Sequence, residues 1–275
     1  WFMAFFLVTG LIGILYPIFL DVLTNMKISV GPPFFNIVII PLVVPFMFLM
    51  AIGPKFSWIK SQNKISYKSI FPILGAIGIN LFIFYFFGEY SLLSNLIFIT
   101  AIFLILHSFL DIKKNISKKN IYQLPRIISH LGFGLLVFFI GINHQFSLEE
   151  DFNLKVGEIK KTDNYEINFQ DIKIKERKNY KAIVGNFELT NLKKNLVEYL
   201  EPEIRIYSNP ETLTYEAAIK TKITSDLYLT MSNVSRSDYY NIKFQNKPFM
   251  IWVWISALMI TFGGFMQLSL KKNED

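Results

Sequence analysis

The sequence predicts an α-helical membrane protein, with six transmembrane helices and one external all-β domain inserted before the last helix. The 275-residue chain is 52% hydrophobic with a mean hydropathy of +0.36, which is too apolar for an ordinary soluble globule. Six apolar stretches are long enough to cross a bilayer. A polar segment over residues 147–247 separates the last two.

The helical elements follow from these stretches, which occupy residues 3–19, 35–53, 69–88, 91–110, 127–146 and 248–269. The first five predict a membrane bundle over residues 1–146, and the sixth predicts a final helix and short tail over 248–275. Few residues join the third and fourth stretches, which predicts a tight helical hairpin.

Glycines in two of these stretches would allow neighbouring helices to approach closely. They are Gly75 and Gly78 in the third stretch and Gly263 and Gly264 in the sixth.

The net charge of +7 indicates topology and not nucleic-acid binding. The segment from Glu149 to Lys247 carries 16 basic and 16 acidic residues, so the excess lies in the short loops. Loops 54–68 and 111–126 hold nine basic residues against one acid: Lys55, Lys60, Lys64, Lys68, Lys113, Lys114, Lys118, Lys119 and Arg126 against Asp111. Both loops are predicted to be cytoplasmic. The β domain is then periplasmic, and the C-terminus is cytoplasmic.

The polar segment 147–247 is predicted to be a small antiparallel β-sandwich or barrel. Apolar and polar residues alternate with the strand period in segments 165–169, 203–207, 226–230 and 240–244. No His occurs between Glu149 and Lys247, so this domain is expected to be a contact surface and not a reaction centre.

The chain contains no cysteine. It therefore forms no disulfide, performs no thiol exchange and has no Cys-x-x-Cys-His site that could hold haem covalently. The first apolar stretch begins at Trp1 without an initiator Met or a basic leader. We therefore expect the chain to be a C-terminal piece of a longer protein.

Three histidines are the candidate site residues. His130 lies four residues after Arg126, about 6 Å into the fifth helix. An ionisable ring at that depth is either functional, for example as an axial ligand of haem iron, or an interhelical hydrogen-bonding residue. His144 lies about 21 Å further along the same helix and is expected to be a polar end residue. His107 is expected to form an ordinary contact with Asp111.

Trp252 and Trp254 fall within the first residues of the last apolar stretch. Tryptophan at that depth is normally an interfacial anchor. The alternative is a ring that packs on a cofactor.

Four motifs resemble the C-terminal part of cytochrome c-type biogenesis proteins of the CcmF/CycK/NrfE haem-lyase family. They are KISVGPPFFN at 27–36, Ser-His-Leu-Gly at 129–132, TYEAAIKTKITSDLYL at 214–229 and NKPFMIWVWISALMITFGG at 246–264. The resemblance covers essentially the whole chain.

The resemblance implies a subunit of the inner-membrane haem-lyase complex that attaches haem to apocytochrome c in the periplasm. It implies a haem b in the membrane that keeps the delivered haem reduced, with His130 as one of two axial ligands. The implied partners are a haem chaperone, apocytochrome-handling subunits, apocytochrome c, haem and quinol as electron donor, with no nucleic acid. The alternatives are a haem transporter and a non-catalytic scaffold that docks the apocytochrome.

The family's tryptophan-rich haem-handling segment, its external histidines and the second b-haem ligand belong to an upstream region that this chain does not match. No role follows from the resemblance for His107 or His144. No quinone site is visible in the sequence.

Overall fold

The computed structural model describes residues 1–25, 28–55, 70–88, 91–118, 120–234 and 238–270. Six α-helices are present among them: α1 (Phe2–Thr24), α2 (Pro32–Ile52), α3 (Ile70–Phe87), α4 (Leu92–Ser117), α5 (Leu124–Phe146) and α6 (Met250–Ser269). The chain divides into two compact units, one of Trp1–Gly141 with Val253–Asp275 and one of Ile142–Trp252.

The helices of the first unit are those of a membrane protein, but the predicted number of six spans is not confirmed. Five helical segments, which correspond to α1, α2, α4, α5 and α6, are long and apolar enough to cross a membrane. Helix α3 spans 18 residues, and its segment Phe71–Phe86 is a shorter apolar helix than these five. At about 1.5 Å per residue, α3 reaches about 27 Å, against a hydrocarbon core of about 30 Å.

Two helices extend beyond the apolar stretches that predicted them. The first does not end at residue 19 but continues to Thr24, and Asn25 caps it in a left-handed conformation with its N–H on the Asp21 carbonyl at 3.0 Å. The fourth continues to Ser117, two turns past the apolar stretch. Apolar length reports the lipid-facing part of a helix, whereas backbone hydrogen bonds and capping decide where it ends.

Helices α3 and α4 pack against each other as the predicted hairpin. Gly88 ends α3 with a positive φ of 92°, and Ser91 caps α4 by accepting a hydrogen bond from the Ser94 N–H at 3.1 Å. A Cβ on Gly75 would lie 3.2 Å from Leu106, so Gly75 serves close packing as predicted. The prediction for Gly78 is wrong, because no atom in the described part of the chain lies within 4 Å of a Cβ placed on it.

Helix α5 packs closely against two neighbours through its glycines. Gly134 faces Ile105 and the Ala101 carbonyl of α4, and Gly132 faces Ile260 and the Ser256 carbonyl of α6. Backbone carbonyls this close leave no room for a side chain. Close approach of the helices through small residues is the usual way that membrane helices associate.

The second unit is a two-sheet β-sandwich, as the strand periodicity predicted. Its strands are β1 (Leu148–Leu154), β2 (Ile159–Lys161), β3 (Tyr165–Glu176), β4 (Tyr180–Asn191), β5 (Leu196–Leu200), β6 (Glu203–Ser208), β7 (Glu211–Glu216), β8 (Ala218–Lys220), β9 (Ser225–Asn233) and β10 (Tyr240–Pro248). One sheet has the order β1-β10-β9-β8, and the other has β2-β3-β4-β6-β7 with β5 also paired to β4.

One hydrophobic core joins the two sheets. All strand pairs are antiparallel, and inward-facing residues alternate with exposed ones. The Phe169 and Phe187 rings stack at 4.2 Å between centroids, and Leu229 and Phe244 of the other sheet are fully buried with them. Burial on one face of each sheet fixes the register of its strands.

Candidate functional site

His130 lies in the second turn of α5 and faces α2. Its imidazole is partly buried and hydrogen-bonds to the backbone of Met50, near the C-terminal end of α2. Arg126 precedes it by one helical turn, so the two side chains lie on the same face of α5. The structure therefore places this histidine between two helices and next to a cation.

An acidic residue, Asp111, belongs to the same part of the first unit. The Asp111 carboxylate in α4 contacts Nδ1 of His107 at 3.5 Å, as the sequence predicted for that pair. Asp111 also acts electrostatically on both Arg126 and His130. We call His107, Asp111, Arg126 and His130 the polar cluster. Helix α4 supplies its first two members and α5 supplies its last two.

The backbone around His130 is held tightly by α6. Ser129 donates a hydrogen bond from Oγ to the Ile260 carbonyl at 3.3 Å. Gly132, two residues after His130, lies against Ile260 and Ser256. Because these contacts lie on both sides of His130 in the sequence, they fix the rotation of α5 that points the imidazole toward α2.

The hydrogen bond of His130 suits a metal ligand. A neutral imidazole that donates one N–H to a carbonyl keeps a lone pair on its other nitrogen, and metal-binding histidines are usually oriented by such a bond. Within the described residues, no group of three or more His, Cys, Asp or Glu side chains could hold a bare metal ion. A single imidazole is, however, what haem iron takes from one helix. The residues therefore fit one side of a haem.

His144 and the two tryptophans lie elsewhere. His144 is exposed near the end of α5. Trp252, in the first turn of α6, donates from Nε1 to the Ile223 carbonyl at 3.0 Å, and the side chain of Trp254 is largely exposed. The bond to Ile223 ties the Trp252 ring to the β-sandwich, which the sequence alone did not predict.

The structure brings the resembling motifs together in two pairs. The motif 214–229 meets the motif 246–264 through Trp252 on Ile223 and through the Phe249 N–H on the Thr224 carbonyl at 3.0 Å. The motif 129–132 meets the later part of 246–264 through Ser129 and Ile260. Within the first motif, Lys27 lies outside the described part of the chain. Its Phe35 ring lies against Gly13 of α1.

Charge pairs cover the surface of the β-sandwich. Glu198 of β5 accepts from Lys222 Nζ at 2.7 Å and lies 3.5 Å from Lys220 Nζ of β8. The bond from Lys222 lowers the pKa of Glu198, although burial opposes this shift. The pKa of Arg205 is raised, chiefly by its hydrogen bond to Glu203 at 2.8 Å. These pairs stabilise the rims of the sheets and do not form a reaction centre.

Two polar features were missed at the sequence level. Arg126 was counted only as a loop charge, yet its Nε is buried. Asn80 of α3 is 2% exposed and donates from Nδ2 to Oδ1 of Asn95 in α4 at 2.8 Å. The signal available in the sequence was one asparagine within each of the apolar stretches 69–88 and 91–110.

Comparison with known proteins supports the same architecture. The family model described as the CcmF C-terminal beta-sandwich matches residues 145–248. A solved structure of "Cytochrome c Heme Lyase CcmF" superposes with a TM-score of 0.75 over 97% of this chain and 44% of that chain, at 16% sequence identity. The fold is thus that of an integral membrane protein with a β-sandwich inserted before its last helix.

Relatives along the whole chain give the family. Cytochrome c-type biogenesis protein CcmF of Pseudomonas aeruginosa is 26% identical over 264 residues, which cover 92% of this chain and 40% of the relative. CcmF of Escherichia coli K12 is 27% identical over 265 residues, with 94% and 40% covered. CycK of Rhizobium meliloti is 26% identical over 287 residues, with 95% and 41% covered. The chain matches the C-terminal part of the CcmF/CycK/NrfE family, which the family model, the relatives and the solved structure all support. It spans about 40% of the length of these curated relatives.

Proposed function

We propose that this chain is the C-terminal part of a membrane subunit that attaches haem to apocytochrome c. Its relatives are named cytochrome c-type biogenesis proteins, and the solved protein with the same fold is named a haem lyase. The proposed partners are apocytochrome c and the other subunits of the cytochrome c maturation system. Quinol is the proposed electron donor.

His130 is the proposed axial ligand of a haem b in the membrane. The observation that carries this proposal is the hydrogen bond between the imidazole and the Met50 backbone, because it leaves one ring nitrogen with a lone pair. Haem bound there would supply one-electron chemistry within the membrane. The chain itself orients the imidazole through α2 and fixes the rotation of α5 through Ser129 and Ile260.

The absorption spectrum of the purified full-length protein tests this assignment. We expect His130→Ala to lose most of its haem, measured by pyridine haemochrome content, or to lose the six-coordinate spectrum. The matched control is His144→Ala, which removes an exposed imidazole from the other end of the same helix and should retain both. If His130→Ala keeps the wild-type spectrum and haem content, another residue binds the iron.

The proposed location is the bacterial inner membrane, with the β-sandwich in the periplasm and the C-terminus in the cytoplasm. The loop charges support this orientation, although residues 56–69, 119 and 271–275 lie outside the described part of the chain. Because the chain has no cysteine, single substitutions can be labelled cleanly. Lys178→Cys, in the turn between β3 and β4, should react with an impermeant maleimide in intact spheroplasts. Lys114→Cys should react only after lysis, and the reverse pattern would invert the topology.

A further inference from the structure

Arg126, in the first turn of α5, is a partly buried cation without a carboxylate in ion-pair contact among the described residues. Its Nε is buried and has no hydrogen-bond partner in that part of the chain. Asp111 is near enough to act on it electrostatically, but the Asp111 carboxylate contacts His107 at 3.5 Å. Burying a guanidinium nitrogen without a hydrogen-bond acceptor costs free energy. We therefore expect Arg126 to bind an acceptor from another molecule.

The position of Arg126 indicates which acceptor this is. It lies one turn before His130 on the same face of α5, so a molecule held by the imidazole can extend to the guanidinium. Charged residues within membrane spans usually mark functional sites with a specific partner. The planar fork of arginine matches a carboxylate in two-point geometry.

We propose that Arg126 binds a propionate carboxylate of the haem that His130 holds. This inference rests on the proposed function and adds a second point of attachment for the same group. Haem b carries two carboxylates, and a carboxylate in a region of low dielectric needs a cation or strong donors. Arg126 supplies both. Its role is to position the haem, because it contacts the periphery of the macrocycle and not the iron.

A chemical double-mutant cycle isolates this contact. Full-length protein prepared without haem is titrated with haem b and with haem b dimethyl ester, in which both propionates are blocked. Wild type is expected to bind the ester about tenfold more weakly, which corresponds to the loss of one charge-assisted hydrogen bond. In Arg126→Gln this discrimination should shrink several-fold, and Arg126→Lys should restore part of it.

The control is Lys113→Gln, which removes one positive charge from an exposed site in α4 and should discriminate like wild type. Equal affinity of wild type for both haems would overturn the proposal. This comparison uses only the wild-type protein, so it does not depend on whether a variant folds. Undiminished discrimination in a folded Arg126→Gln protein would also overturn it. A different result would refute the proposed function. If His130→Ala kept the wild-type haem spectrum, His130 would not be the iron ligand.

Discussion

Gly263 of α6 packs directly on Ser129 of α5, the residue immediately before His130. A Cβ added at Gly263 would lie 2.7 Å from the Pro125 carbonyl oxygen and 2.9 Å from the Ser129 nitrogen. Both are backbone atoms and cannot swing away. The closest approach of the two helices therefore lies beside the candidate ligand, and a change in α6 will reach that ligand through packing.

Gly263→Ala should destabilise the membrane unit and loosen the His130 site. Overpacking of this kind costs about 1–3 kcal/mol, so a lower melting temperature in detergent is expected together with a loss of bound haem. Gly264→Ala is the matched control, because no atom of the described residues lies within 4 Å of its added methyl group. Equal melting temperatures for the two variants would contradict the observed helix contact.

The Asn80–Asn95 hydrogen bond should stabilise the hairpin of α3 and α4. Interhelical hydrogen bonds in membranes contribute about 0.6 kcal/mol on average and about 1.7 kcal/mol at most. We expect Asn80→Leu and Asn95→Leu each to lower the thermal stability. The double variant should lose less than the sum, because the bond between the two side chains can be lost only once. Strictly additive losses would mean that the bond contributes nothing.

The β-sandwich should fold when residues 147–248 are expressed alone, because one core joins its two sheets. A strand-rich circular dichroism spectrum with cooperative unfolding is expected. Phe187→Ala should lower the free energy of unfolding by about 3–5 kcal/mol, since the ring is buried and stacked on Phe169. Ile174→Ala changes a side chain that is 72% exposed and should have little effect. A mainly helical spectrum from a folded monomer would refute the domain assignment.

Glu198 should make the stability of this domain depend on pH. Its pKa is lowered in the folded state, chiefly by Lys222, so its contribution is complete above the unfolded pKa of about 4.3. That contribution is lost as the pH falls through the lower folded pKa. Glu198→Gln should therefore lower the melting temperature at pH 7 and differ less from wild type below about pH 4. Glu211→Gln, an exposed change in β7, is the control. A difference in melting temperature between Glu198→Gln and wild type that did not change with pH would contradict the account.

Periodicity predicts the strands of the β-sandwich well because it is a local property of the sequence. The alternation at 165–169 and 240–244 lies within β3 and β10, and the Ser-His-Leu-Gly motif drew attention to His130. The pairing of β1 with β10 is not local: Leu148 pairs with Asn246. Sequence reasoning therefore identified these strands without predicting their neighbours.

The polar contacts were harder to predict because each depends on which helix faces which. Arg126 and Asn80 become informative only when α4 is placed beside them. Gly264 shows the same limit, because it adjoins Gly263 in sequence but points away from α5. The span count of six is not confirmed for a different reason: five helical segments meet the length for crossing a membrane, and Phe71–Phe86 of α3 is a shorter apolar helix.

Rescue of His130→Gly by free imidazole is the measurement that tests the central claim most directly. Removing the side chain leaves a space that a small ligand can enter, while the rest of the chain is unchanged. The account predicts that the purified full-length variant loses the six-coordinate haem spectrum, and that added imidazole restores it in proportion to occupancy. A His130→Gly protein that keeps the wild-type spectrum without imidazole would contradict the assignment of this residue as the haem ligand.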